Sequence, residues 1–124
     1  GSKIDDDSQD REDYYSIQEI ISPELVKLNN NLVVRLIGVK EKESINGEAI
    51  EFLKDKTKGQ KIFLKFDEIK HDRNNNLMAY IYLKNKTFLN AHLIKNGFVD
   101  VDLSYQYRNK ERFIKYSNQG FLNA

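Results

Sequence analysis

The sequence predicts an α+β fold, mostly β, and three observations carry that prediction. A β-branched-rich run, Leu32–Val39, follows the turn-forming Asn29-Asn30-Asn31. A strict alternation in Lys61–Asp67 places Ile62, Leu64 and Phe66 on one side and Lys61 and Lys65 on the other. Two segments, Gly47–Lys56 and Phe88–Asn96, have apolar residues at helical spacing. Alternation with period two marks a half-buried strand, and spacing near 3.6 marks one face of a helix. On periodicity alone, the expectation is α+β with a compact antiparallel sheet.

Taken in order, Ser16–Leu28 reads as strand interrupted at Pro23. The asparagine triplet is a turn, because asparagine tolerates left-handed backbone and bonds its own main chain. Leu32–Val39 then returns as the second arm of a hairpin. Lys40–Asn46 is a charged loop. Gly47–Lys56 is a short helix with Ala49, Ile50, Phe52 and Leu53 as its apolar stripe, stopped near Gly59. After the alternating strand, Glu68–Asn76 is a polar turn and Leu77–Leu83 a tyrosine-rich strand. Phe88–Asn96 is the second helix, closed by Gly97 in a left-handed C-terminal position. A last helix is expected over Arg108–Tyr116, with Lys110, Arg112 and Lys115 on its exposed sides.

A chain of 124 residues is one domain's worth. Residues 1–13 read as an acidic tail or linker, 14–117 as the folded domain and 118–124 as a C-terminal tail. The leader holds six carboxylates against two cations, so the rest of this +1 chain carries +5. That balance is compatible with a polyanion but ordinary for a soluble domain. Cysteine is absent, which excludes disulfides and thiolate metal sites. His71 and His92 lack metal-ligand spacing, and no apolar run is long enough for a membrane span. Gly1-Ser2 looks like an expression scar, which points to a piece of a longer protein. With no secretory signal visible, a cytoplasmic setting and no membrane partner are expected.

Several short segments have a family likeness when taken together. These are Val34-Arg35-Leu36-Ile37-Gly38-Val39, Gly47-Glu48-Ala49, Asp72-Arg73, Ala79-Tyr80-Ile81-Tyr82, and Leu89-Asn90 with Leu93 and Gly97. In this order and spacing the chain resembles the staphylococcal nuclease-like family over about Ile17 to Lys115. That resemblance implies a five-stranded oligonucleotide/oligosaccharide-binding (OB) barrel with about three packed helices. It also implies metal-dependent phosphodiester hydrolysis. Residues 80–97 are further similar to the C-terminal nuclease-like domains of some bacterial DNA-modification methylases.

Carried over residue by residue, the resemblance gives Arg35 as the first catalytic arginine and Glu43 as the catalytic glutamate. The other positions depart from the family pattern. The second catalytic arginine becomes Asn76, and a calcium-binding aspartate becomes Lys40. The following Thr-Pro becomes Glu41-Lys42. The Asp-Gly-Asp-Thr turn becomes Ser22-Pro23-Glu24-Leu25, which leaves Glu24 as the one metal-ligand candidate. A base-stacking aromatic becomes Asn74. A neutral asparagine cannot clamp a phosphate with charged paired donors, and a lysine repels a dication. Arg73 or Arg108 stands in for the missing arginine only by spatial rearrangement, and Glu41 for a missing ligand. No cofactor is therefore expected, and calcium only if the site is rearranged.

Three functions follow. The first is a nuclease-like domain that has lost catalysis and binds nucleic acid, most naturally DNA, for a linked catalytic domain such as a methylase. The second is an active phosphodiesterase with a rearranged site. The third is a protein–protein adaptor. Arg73, Tyr80, Lys110 and Arg112 are the candidate nucleic-acid contacts, since basic tracks and aromatic faces bind single strands. Each has a plainer reading: alternating Tyr80 and Tyr82 pack across strands, and Lys61, Lys65, Lys110, Arg112 and Lys115 keep the domain soluble. Arg35 has an alternative structural role, bonding a loop carbonyl or Glu48. Glu41 and Glu43 otherwise belong to a solvated loop, His71-Asp72 to a turn, and Asn90 to a helix end or buried polar contact.

Overall fold

Alternating burial sets the strands, and tight turns set their pairing. The computed structural model describes residues 13–123. The elements are β1 (Ile17–Ser22), β2 (Leu25–Leu28), β3 (Val33–Leu36) and β4 (Val39–Glu41). A single 3-10 turn (Glu43–Ile45) then leads into α1 (Asn46–Thr57) and β5 (Ile62–Lys65). Next come β6 (Leu77–Leu83), α2 (Leu89–Lys95), β7 (Val99–Val101) and α3 (Lys110–Asn123). The five-stranded sheet has the order β1-β2-β3-β6-β5, while β4 and β7 form a separate ribbon. β3 and β6 run parallel, and the other neighbours are antiparallel.

The fold is the expected α+β type, with three helices and a five-stranded sheet. The sheet is not closed into a continuous barrel. Its edges, β1 and β5, meet through one isolated bridge, in which Tyr15 and Ile62 exchange backbone hydrogen bonds of 2.9 and 2.8 Å. The core fills the space between this curled sheet and the helices, with Leu28, Val34, Leu36, Ile81, Leu89, Leu93 and Phe113 buried together. Buried Asn90 accepts from the Ile81 N–H at 2.9 Å and donates to the Ile37 carbonyl at 2.9 Å. It therefore ties α2 to β6 and to the end of β3, the buried polar contact expected of it.

Four local expectations are corrected. The strand expected over Leu32–Val39 breaks at Gly38, which takes φ +79°. A Cβ there would meet the Phe113 ring at 2.7 Å. The chain turns out of the sheet, and Val39–Glu41 pairs with Val99–Val101 where a loop was expected to begin. In β5 the inward set is different: Phe63 is 2% exposed, covered on the outer face, whereas Phe66 lies past the ladder and is 42% exposed. The last helix starts at Lys110 and continues through residues expected to form the C-terminal tail. The acidic leader lies outside the described residues, except for Asp13.

Candidate functional site

On β3 the buried residues are Val34 and Leu36, so Arg35 points out of the core from a half-buried position. Its register partners are Leu25 on β2 and Met78 on β6. Two carboxylates close on the guanidinium. Nη1 donates to Glu24 Oε1 at 2.6 Å, and Nε donates to Asp72 Oδ2 at 2.6 Å. The partner is thus a pair of acids from two turns; Glu48, the alternative, makes no such bond among the described contacts. The second oxygen of Glu24 accepts the Glu41 N–H at 2.8 Å, so this side chain also fixes the start of the loop after β4.

Asp72 organises the turn before β6. Its Oδ1 accepts the backbone N–H groups of Asn74 (2.9 Å) and Asn76 (2.8 Å), and Oδ2 accepts the Asn76 side-chain amide at 3.1 Å. Burial opposes ionisation of this carboxyl. The Arg35 guanidinium and the three amide donors outweigh it and hold the group down at about 2. For Arg35, burial likewise opposes the charge, and Asp72 and Glu24 reverse it, so its proton is held more tightly than usual.

Asp72, Arg35, Arg73, Met78 and Tyr105 line a cleft of about 460 Å³. The Tyr105 hydroxyl accepts the Gly38 N–H at 2.9 Å. Burial first, and the charge of Asp102 next, push that phenol up to about 12. Glu43 is exposed in the 3-10 turn, and its carboxylate makes no hydrogen bond among the described residues. Lys40 is exposed on β4 opposite Asp100. Glu41 accepts from the Asn46 amide at 3.0 Å. Among the described residues, no three histidine or carboxylate side chains gather into a group that could hold a metal.

The four expected nucleic-acid contacts do not share one surface. Arg73 lines the Arg35 cleft. Tyr80 is a correction: it is buried, edge-on to Phe88 and Phe113, and its hydroxyl donates to Asp67 Oδ2 at 2.6 Å. It has no face to offer a base, and burial and Asp67 raise its pKa. Lys110 folds back to donate to the Leu103 carbonyl at 3.1 Å. Arg112 is exposed on α3; burial raises the pKa of Tyr82, and the charge of Arg112 offsets this only in part. Sequence reasoning missed Asp72 and Tyr105 as cleft residues. The Asp72-x-Asn74-x-Asn76 spacing of an aspartate-capped turn was the available signal for the first.

The family model of staphylococcal nuclease homologues matches residues 15–120. The chain belongs to this family. No curated protein matches it. Membership sets the family pattern against which the residues around the Arg35 cleft are compared. It also frames the departures: in this homologue the arginine stands between two acids, with Lys40 and Asn76 close by in sequence to the site's two loops. Among the described residues, no helix is long and apolar enough to cross a membrane.

Proposed function

We propose that this staphylococcal nuclease homologue is a nucleic-acid-binding accessory module that has lost hydrolysis and serves a larger enzyme. What supports this most is the closure of Arg35. Hydrolysis of a phosphodiester builds charge on the equatorial oxygens, and guanidinium donors and a dication normally stabilise it. Here the two guanidinium faces that a phosphate would use first are held by Glu24 and Asp72 at 2.6 Å. The second guanidinium of the family pattern is Asn76, which instead supports Asp72.

Calcium, which the family implies, does not fit the residues present. A hard cation wants several free oxygen ligands. Both oxygens of Glu24 are engaged, Glu41 is tied to Asn46, and a lysine occupies position 40. Losing one transition-state donor costs about 100- to 1000-fold in rate, and losing the cation as well leaves little catalysis. The setting in a bacterial DNA-modification methylase draws support from the similarity of residues 80–97, and the sequence encoded upstream of Lys3 tests it.

Incubation of the pure protein with single-stranded DNA and RNA and calcium, magnesium or manganese is expected to give no turnover, while anisotropy detects salt-dependent binding. One observation favours the alternative, an active phosphodiesterase: Arg73 lines the same cleft as Arg35. Cleavage abolished by Arg35→Ala and Glu43→Gln would establish that alternative and overturn the proposal. Absence of any oligonucleotide binding would favour a protein–protein adaptor.

A further inference from the structure

Outside the Arg35 cleft, the outer face of β5 and β6 combines stacked aromatic rings with a row of cations. Phe63 and Tyr82 are register partners, stacked at 5.3 Å with an 8° interplanar angle. Phe88 continues the stack on Tyr82 at 4.4 Å and 13°, and Tyr14 meets Phe63 edge-on at 6.1 Å. The cations lie over this column. Lys84 Nζ is 5.1 Å from the Tyr14 ring, Lys86 Nζ 5.7 Å from Phe63 and Lys65 Nζ 5.5 Å from Tyr82. Arg112 adds an exposed cation from α3.

We propose that this face is a docking track for a single strand of nucleic acid. The inference rests on the nucleic-acid-binding reading and moves its contact surface away from the nuclease-type cleft. Among the described residues, none of Lys65, Lys84, Lys86 and Arg112 makes an ion pair. Protection of an edge strand by lysine explains Lys65 on β5, but the other three lie off that strand. Phosphates are the complementary charge. Tyr14, 44% exposed, supplies ring surface for a base, while Tyr82, stacked between Phe63 and Phe88, anchors the column beneath it, and aromatic platforms beside a basic groove bind single strands without sequence preference.

The scale also fits. Lys65 is the partner of Tyr80, and Lys84 lies four residues beyond Tyr80, just past the end of β6. At about 3.3 Å per residue, the track is about 13 Å long, enough to meet more than one backbone phosphate. Lysine stems resting on rings are already restrained, so less rotamer freedom is lost on binding.

The test is anisotropy of a fluorescein-labelled 12-nucleotide oligothymidylate with the full chain at several salt concentrations. The combined variant K65E/K84E/K86E/R112E is expected to weaken binding at least about 30-fold and to flatten the salt slope by about three, near 0.7 per lost contact. The milder K65Q/K84Q/K86Q/R112Q should lose less affinity but the same slope, and circular dichroism checks that both remain folded. A charge reversal elsewhere, K54E/K58E on and after α1, should change affinity less than threefold. If the wild type binds and the combined variants bind equally well, the track is wrong while nucleic-acid binding stands. If the wild type does not bind, both fall.

Discussion

The Arg35 corner and the outer face of β5 and β6 both gather basic side chains, yet they treat them in opposite ways. At the corner a single guanidinium meets two carboxylates at 2.6 Å, and those carboxylates tie down three backbone N–H groups. On the face, four cations have no carboxylate partner among the described residues, and three of them, Lys65, Lys84 and Lys86, rest on aromatic rings. A cation with satisfied partners belongs to the fold, because a ligand must displace those partners before it binds. A cation without them is available to a polyanion. Under the proposed function, the arginine at the family's catalytic position serves the fold, and contact with nucleic acid falls to the outer face of β5 and β6.

The largest separation between the two regions should appear in stability. Asp72→Ala removes an ion-pair partner and the acceptor of two backbone N–H groups, and it leaves Arg35 with Glu24 alone. The expected loss is about 2–3 kcal/mol, below the range for fully buried pairs because the site is part-exposed. Lys65→Ala, on the face, should stay within about 0.5 kcal/mol. Urea unfolding midpoints measure both. Equal losses would erase the distinction between a structural corner and an available face.

Acid sharpens the same contrast. The Asp72 carboxyl titrates at about 2 in the folded protein, against 3.8 ordinarily. A depressed folded value means that the stabilisation is complete above the ordinary value and disappears as pH falls from there through about 2. Asp67, also lowered, after burial is outweighed by Tyr80 and the Arg108 and Glu68 amides, acts in the same direction. Asp72→Asn should remove about 1–2 kcal/mol of this pH-dependent stability, allowing for solvent screening. The wild-type and variant curves should then converge near pH 2. The combined glutamine variant of the face changes no carboxylate and should keep the wild-type acid limb. A parallel offset of the Asp72→Asn curve at all pH values would show that the pair contributes nothing to acid sensitivity.

Where the sequence was informative, the cause was local. Leu77–Leu83 carries its own strand pattern, and α2 carries its own stop in Gly97, which adopts φ +74°. The outward position of Arg35 follows from alternation with Val34 and Leu36. The missed features depend on distant residues. Gly38 must be glycine because Phe113 and Tyr107 crowd it from α3 and the loop before it. β7 is three residues long, too short for a period, and exists because β4 lies beside it. Asp72 reaches Arg35 across 37 positions of sequence. Tyr80 and Tyr82 share a strand face as alternation requires, but Phe113 covers only the first directly. Full burial of one and only partial burial of the other were therefore not readable from the strand itself.

The smallest predicted effect bears on Arg112, the one expected nucleic-acid contact that lies on the proposed track. Arg112→Gln removes a single charge from the rim of α3, where its described hydrogen bond is a long one, 3.4 Å to Asn109. Stability should change by no more than about 0.5 kcal/mol. Oligothymidylate affinity should fall two- to fivefold, and the salt slope should decrease by about 0.7, the share of one single-strand phosphate contact. Arg73→Gln provides the matched change in the Arg35 cleft and should leave the slope closer to wild type. If Arg73→Gln flattens the slope and Arg112→Gln does not, the strand runs through the nuclease-type cleft after all. The closed ion pairs at Arg35 would then have to open on binding, and the comparison between the two regions would have to be reversed.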